Sequence, residues 1–333
     1  MSLKKIISIP IFFLIFTLTA QETNEVYRTI IVDKNGNGNG NYKEIQEAIN
    51  STRDLGPGFV EIHIKNGTYH EKLEIPTWKH KLRLIGEDRD KTLITNNDYS
   101  GKKDSITGKT LSTFTSYTLL VSGDQIEIEN LTVNNSSCGK GQAVALHVEG
   151  DKFISKNINI LGCQDTIYAA TASSRQYYNN CYIEGTTDFI FGQATVLFEN
   201  CTIKSLKNSY ITAAATTPNQ DFGFVFLDCK LIADEDVNKV YLGRPWRPYA
   251  QTVFINSEFG EHILPEGWNP WHGDEMFPDK QETTFYAEYN NFGPGAETSE
   301  RPKWIKQLSK KEAKKYTTEN IFKQKDSWNP RSK

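Results

Sequence analysis

The stretch GTTDFIFGQA, residues 185–194, sets Asp188 directly against Phe189, Ile190 and Phe191, a run that reads as a buried strand. A buried, unpaired carboxylate is costly and escapes that cost by keeping its proton. One repeat earlier, LGCQDTIYAA places Gln164 beside a second acid, Asp165, and GQAVALHV sets Gln142 one step further back. Two carboxylates in unlike surroundings can divide the roles of nucleophile and general acid. Glutamine amides beside them can donate hydrogen bonds to a developing oxyanion. YLGRPWRPY adds Arg244 next to Trp246. A guanidinium paired with Asp188 would hold that acid ionised among its apolar neighbours. Each piece also has a plain structural use: acids cap turns, Arg244 makes an ordinary ion pair, Trp246 and Tyr168 pack. The combination on successive repeats is what points to chemistry.

Other chemistries lack their residues. No G-x-S-x-G elbow supports a serine hydrolase. The six histidines (His63, His70, His80, His147, His262 and His272) show no metal-type pairing such as H-E-x-x-H, and no glycine-rich phosphate loop opens a helix. Neither a metal nor another cofactor is therefore expected. The formal charge is −3, evenly spread. The one basic block, SKKEAKK, alternates like a solvated helix face, so no nucleic-acid partner is expected.

The elements that must position these residues repeat. IEIENLTV, FISKNINI, YYNNCYIE, VLFENCTI, FVFLDCKL and TVFINSEF each set a polar residue within a strand-like run: Asn130, Asn157, Asn180, Asn200, Asp228 and Asn256. Such a period, rich in β-branched and aromatic residues, predicts a parallel β-helix with one coil per repeat. A β-sandwich is the alternative, but its hairpin signals are largely missing between residues 120 and 260. Uneven spacing of the repeats predicts side loops of different lengths, where a site can be built. YKEIQEAIN has the periodicity of an amphipathic helix that caps the open end. IKQLSKKEAKKY and TTENIFKQ predict short C-terminal helices packing back on the solenoid, and NGNGNGN a turn-forming surface segment.

Cys181 and Cys201 each follow the repeated Asn, so they should stack on neighbouring coils. The ~4.8 Å strand spacing falls within the ~4.4–6.8 Å Cα separation of a disulfide, so either a Cys181–Cys201 bridge or two buried thiols fits. With five cysteines, at least one is unpaired within the chain. Lys4 and Lys5 precede an apolar run from Ile6 to Phe16, and the following TLTA ends at the small residue Ala20. This is the pattern of a cleavable secretory signal peptide over residues 1–20, with an uncleaved anchor as the alternative. The run is short for a membrane span. Residues 21–333 then form one domain, secreted or periplasmic, with no membrane contact after leader removal and acting as a monomer.

GQAVAL, QDTIYA, TDFIFG and YLGRPW, in this order, resemble the signature blocks of the pectin methylesterases. Supporting stretches include IKNGTYHEKLEI, TAAATTPNQDFGF and FYAEYNNFGPGA, so the resemblance covers roughly residues 27–330. It implies a right-handed parallel β-helix whose partner is the polysaccharide homogalacturonan (pectin), and chemistry without serine or metal. It further implies Asp188 as nucleophile on the C6 methyl ester, giving an acyl-enzyme, and Asp165 as acid and then base. Gln142 and Gln164 would stabilise the oxyanion, Arg244 would hold Asp188, and Trp246, Tyr168 and Phe191 would contact sugar rings. Other pectin-active β-helix enzymes, polygalacturonases and pectate lyases, need paired acids about a glycosidic bond or Ca²⁺-binding acid clusters, and no such cluster appears outside Asp165 and Asp188. A binding protein without chemistry would have lost one of the five polar positions, and all five are present.

Overall fold

The computed structural model describes residues 25–36, 42–323 and 326–331. The leader expected over residues 1–20 and most of the NGNGNGN segment lie outside the described residues. Among the described residues the strands sort into three parallel sheets of eleven, seven and eight. Each coil adds one short strand to each sheet: Arg175–Asn179, Tyr182–Gly185 and Ile190–Gly192 form one coil. Thr195–Glu199, Thr202–Ser205 and Tyr210–Ala214 form the next, paired in register with the first. The chain is a right-handed parallel β-helix.

The repeated polar residue turns out to be the corner of the coil. Asn130, Asn157, Asn180, Asn200, Asp228 and Asn256 all have φ between 51° and 54°, as does Asn290 on a seventh coil at 52°. Asn and Asp tolerate this left-handed conformation where most residues do not. The turn carries the chain from the eleven-stranded sheet into the eight-stranded one, and flanking pairs such as Asn159 with Tyr182 and Tyr182 with Thr202 keep the corners stacked. Side-chain amides link several of them: Asn157 donates to Asn130 at 2.6 Å, Asn180 to Asn157 at 3.1 Å, and Asn290 to Asn256 at 2.8 Å.

Inside the coil the same register stacks apolar side chains in files. Tyr178, Phe198, Phe226 and Phe254 lie face to face with centroids 4.8, 4.6 and 4.3 Å apart. Helix α1 (Ile45–Asn50) buries Ile45, Ala48 and Ile49 against the first strands, and the Glu71 carboxylate accepts from its Ile45 and Gln46 amides. Two short C-terminal helices also form, α2 (Lys310–Ala313) and α3 (Thr318–Phe322). Ile321 and Phe322 of α3 pack onto Ile154, Tyr177, Leu197 and Val225 on the outside of the eleven-stranded sheet.

The cysteines stack as expected, and of the two outcomes considered, a Cys181–Cys201 bridge or two buried thiols, the thiols are found. Cys181, Cys201 and Cys229 are buried free thiols on successive coils. Side chains at equivalent positions of parallel strands run side by side at the strand spacing of about 4.8 Å. A disulfide needs its Cβ atoms drawn together to about 3.8 Å. The thiols are held instead by carbonyls: Cys201 Sγ donates to Tyr178 O and Cys229 Sγ to Phe198 O. The disulfide that does form is Cys138–Cys163, with Cα atoms 5.3 Å apart.

Two expectations follow. Asn200→Gly should leave stability nearly unchanged, whereas Asn200→Val should lose about 1–2 kcal/mol in urea unfolding, because a β-branched residue resists the left-handed region. Thiol titration of the non-reduced chain should find no reactive cysteine in the native state and three in denaturant, and peptide mapping should recover Cys138 linked to Cys163.

Candidate active site

The seven-stranded sheet carries the polar residues singled out in the sequence. Along its strands the side chains alternate: Ile167, Ala169 and Ile190 enter the core, while Tyr168, Phe191 and Ala213 form a file outside it. Tyr168 and Phe191 stack at 4.6 Å and 13°, and Trp246 meets the Phe191 ring edge-on at 5.8 Å. Phe114, which the sequence did not single out, extends this row by packing on Tyr168 at 5.1 Å. The three expected aromatic residues thus form one continuous row of rings, with Tyr168 and Trp246 partly exposed and Phe191 buried between them.

Asp165 and Asp188 each stand two residues before a strand of this sheet, and the pairing of Ile167 with Ile190 sets them on adjacent coils at the same height. The strand expected over Phe189–Phe191 begins only at Ile190. Asp188 lies in the preceding bend with φ 48°, and Asp165 in the equivalent bend with φ 67°. A bend releases both side chains from the in–out alternation of a strand. Phe189 takes the inward position and is fully buried. Backbone bonds fix the bends: Asp165 N donates to Thr187 O at 3.1 Å and Asp188 N to Tyr210 O at 2.8 Å.

Arg244 reaches Asp188 from two coils further on. It follows the strand Tyr241–Gly243, and its amide donates to Thr212 O at 2.9 Å. Its guanidinium grips the carboxylate through both arms, Nε to Oδ1 at 3.0 Å and Nη2 to Oδ2 at 2.7 Å. The guanidinium lies against two rings, with its Cζ 4.0 Å from the Tyr210 centroid and 3.6 Å from that of Trp271. Neither ring was assigned a role from sequence. Trp271 ends the stretch LPEGWNPW, residues 264–271, and only folding brings it over Arg244.

Gln142 and Gln164 are half-buried neighbours: the Ala143 amide donates to Gln164 O at 3.0 Å, and Ser100 N to Gln142 O at 2.8 Å. Their side-chain amides have no hydrogen-bond partner among the described residues, which leaves four N–H donors available. The Cys138–Cys163 disulfide ties the loop that carries Gln142 to the residue just before Gln164. Both half-cystines flank the glutamines in sequence, a signal hidden by the more regular file of Cys181 and Cys201.

The two acids differ in their electrostatics. Each is only 7% exposed. Burial pushes the Asp165 carboxyl up to about 8; the negative charge of Asp188 reinforces the push, and Arg244 opposes it. Burial also raises Asp188, but there the paired hydrogen bonds and charge of Arg244, and then the charge of Lys280, pull the other way. The arrangement suits an ionised Asp188 beside a protonated Asp165 near neutral pH. As a tightly coupled pair they release their protons as one system, with Asp165 the later.

The raised Asp165 value carries a stability consequence. Its carboxyl binds a proton in the folded state up to about pH 8, whereas in the unfolded chain it lets go near pH 4. Folding is therefore progressively disfavoured as pH rises across that window. Asp165→Asn, a neutral isostere, should raise Tm little at pH 4 and by several degrees at pH 8, as differential scanning calorimetry across the window will show.

Comparison with known proteins agrees with this geometry. The family model described as Pectinesterase matches residues 29–325. A pectinesterase/pectinesterase inhibitor from Prunus persica, PPE8B, is 39% identical over 281 residues, covering 80% of this chain and 51% of that protein. The chain thus spans about half the length of that relative. Among solved structures, pectin methylesterase from carrot superposes with a TM-score of 0.78 at 32% identity, covering 90% of this chain and 94% of that one. A pectin methylesterase in complex with a hexasaccharide superposes with a TM-score of 0.80 at 30% identity, covering 91% and 98%. With the family model spanning nearly all the described residues, the chain belongs to the pectinesterase family.

Proposed function

We propose that the protein hydrolyses the C6 methyl esters of homogalacturonan, releasing methanol and leaving the polymer backbone whole. One observation supports this reading above the rest: two buried acids on adjacent coils, only one of them gripped by an arginine. The same family carries solved esterases, one of them holding a hexasaccharide.

In this reading Asp188 attacks the ester carbonyl, forming a C–O bond as the carbonyl π electrons move onto oxygen. The oxyanion accepts hydrogen bonds from the free amides of Gln142 and Gln164. Asp165 protonates the methoxy oxygen as the tetrahedral intermediate collapses, so methanol leaves and an acyl-Asp188 anhydride remains. Asp165, now a carboxylate, takes a proton from water, which attacks the anhydride carbonyl. Collapse returns Asp188 as a carboxylate and frees the galacturonate, and Asp165 keeps its new proton for the next turnover. Arg244 keeps the nucleophile charged and aligned, while the row of Tyr168, Phe191 and Trp246 offers flat apolar faces to pyranose rings. The Cys138–Cys163 disulfide fits the oxidising compartment that an exported chain would reach.

Methanol release from highly methylated pectin, with polymer length followed in parallel, tests the proposal. Wild type should release methanol without shortening the chain, and Asp188→Ala should release none. Gln142→Ala and Gln164→Ala should each lower kcat by roughly 10²-fold with KM little changed. The pH profile of kcat/KM should be a bell: activity falls at low pH as Asp188 takes up a proton and falls above about pH 8 as Asp165 loses its own. Shortened or unsaturated oligomers, or full methanol release by Asp188→Ala, would refute the assignment.

A further inference from the structure

Lys280 is a charged residue without a surface. It is 3% exposed as a residue and its side chain is wholly enclosed. Its Nζ bonds Asp274 in the same loop and lies 4.4 Å from the centroid of the Trp271 ring. Trp271 is also held in an unusual way. Its φ of 66° is uncommon for a bulky residue and is kept by its amide donating to Asn269 Oδ1 at 2.8 Å. The indole meets Lys280 and the Arg244 guanidinium, whose Cζ is 3.6 Å from the same centroid. A chain of direct contacts therefore runs from Asp274 through Lys280, Trp271 and Arg244 to the Asp188 carboxylate.

Burying a lysine is expensive unless something requires it there, and Asp274 offsets only part of that cost. Three cations, Arg244, Arg247 and Lys280, crowd this corner, and the other two disfavour the charge on Lys280. Arg247 is occupied elsewhere, stacked on Trp246 at 4.8 Å and bonded to its carbonyl at 3.1 Å. We propose that Lys280, fastened by Asp274, is a positioning residue that presses Trp271 onto Arg244 and supplies a second positive charge toward Asp188. The residue acts through Arg244 and through its field; it does not touch the reacting ester. The inference rests on the proposed nucleophile role of Asp188. The charged and titratable groups that bear on Asp188 are Asp165 on the preceding coil, Arg244, Lys280 and the enclosed phenol of Tyr286.

The test is the acid limb of kcat/KM for methanol release in wild type, Lys280→Met, Lys280→Arg and Asp274→Asn, with Tm recorded for each. Lys280→Met removes the charge, so Asp188 should take up its proton at higher pH, moving the limb up by about one unit. The loss should fall on kcat, with KM little changed. Lys280→Arg should bring the limb back. Asp274→Asn unfastens Lys280 and removes the one charge that favours its protonation, so its limb should also move up, by less. A limb unmoved in Lys280→Met would overturn the proposal and reduce the pair to a structural tie. If Lys280→Met does not fold, Asp274→Asn alone still decides, because an unmoved limb contradicts the proposed fastening. Carboxyl ¹³C titration of Asp188, assigned against Asp188→Ala, reads the same ionisation without turnover. Wild type that releases no methanol would therefore sink the functional reading while this titration still judges Lys280.

Discussion

Parallel pairing in register governs this molecule. Once the corners at Asn130, Asn157, Asn180, Asn200, Asp228 and Asn256 are stacked, residues one coil apart are held one strand spacing apart, whatever the length of loop between them. The constraint explains features that otherwise look unrelated. It produces the file of Tyr178, Phe198, Phe226 and Phe254 in the core, and the file of buried, unbridged thiols. It also brings Asp165 alongside Asp188. A solenoid of this kind separates support from chemistry: corners and inward files carry stability, while outward positions and loops are free to vary.

The carboxylate pair shows what that separation permits. Placing two acids on adjacent coils in a buried site raises both, because burial disfavours each charge and one charge disfavours the other. A single arginine applied to one member breaks the symmetry. Arg244 does so with two aligned hydrogen bonds, and both Tyr210 and Trp271 pack against its guanidinium. A planar cation packed against rings has few other places to go. The cost of this arrangement is visible in the fold itself, where Asp165 weakens the native state as pH rises.

Much of the architecture was legible in the sequence because a repeat states itself locally. The polar corner recurs beside alternating apolar residues, and that pattern alone predicts coils. The sequence also suggested that Asp165 and Asp188 share a face, since their separation is one coil, and that Arg244 meets Asp188. Two readings went astray for local reasons. Phe189–Phe191 looked like a strand starting right after Asp188, yet the strand begins at Ile190 and the acid occupies a left-handed bend that only its backbone angles reveal. Cys181 and Cys201 looked bridgeable from spacing alone, but a disulfide depends on the approach of Cβ atoms, which parallel stacking opposes.

The amino-acid sequence by itself determined the coil period, the inward and outward assignment of most strand residues, and the identity of the two acids, the two glutamines and the arginine. Those follow from nearest-neighbour chemistry repeated along the chain. Tertiary structure alone decided which cysteines pair, which rings pack against Arg244, and that Lys280 with Asp274 stands behind Trp271. These contacts join loops whose lengths do not follow the repeat. Their side chains meet because of where the coils hold the loop ends, and no local pattern in the loops records that position.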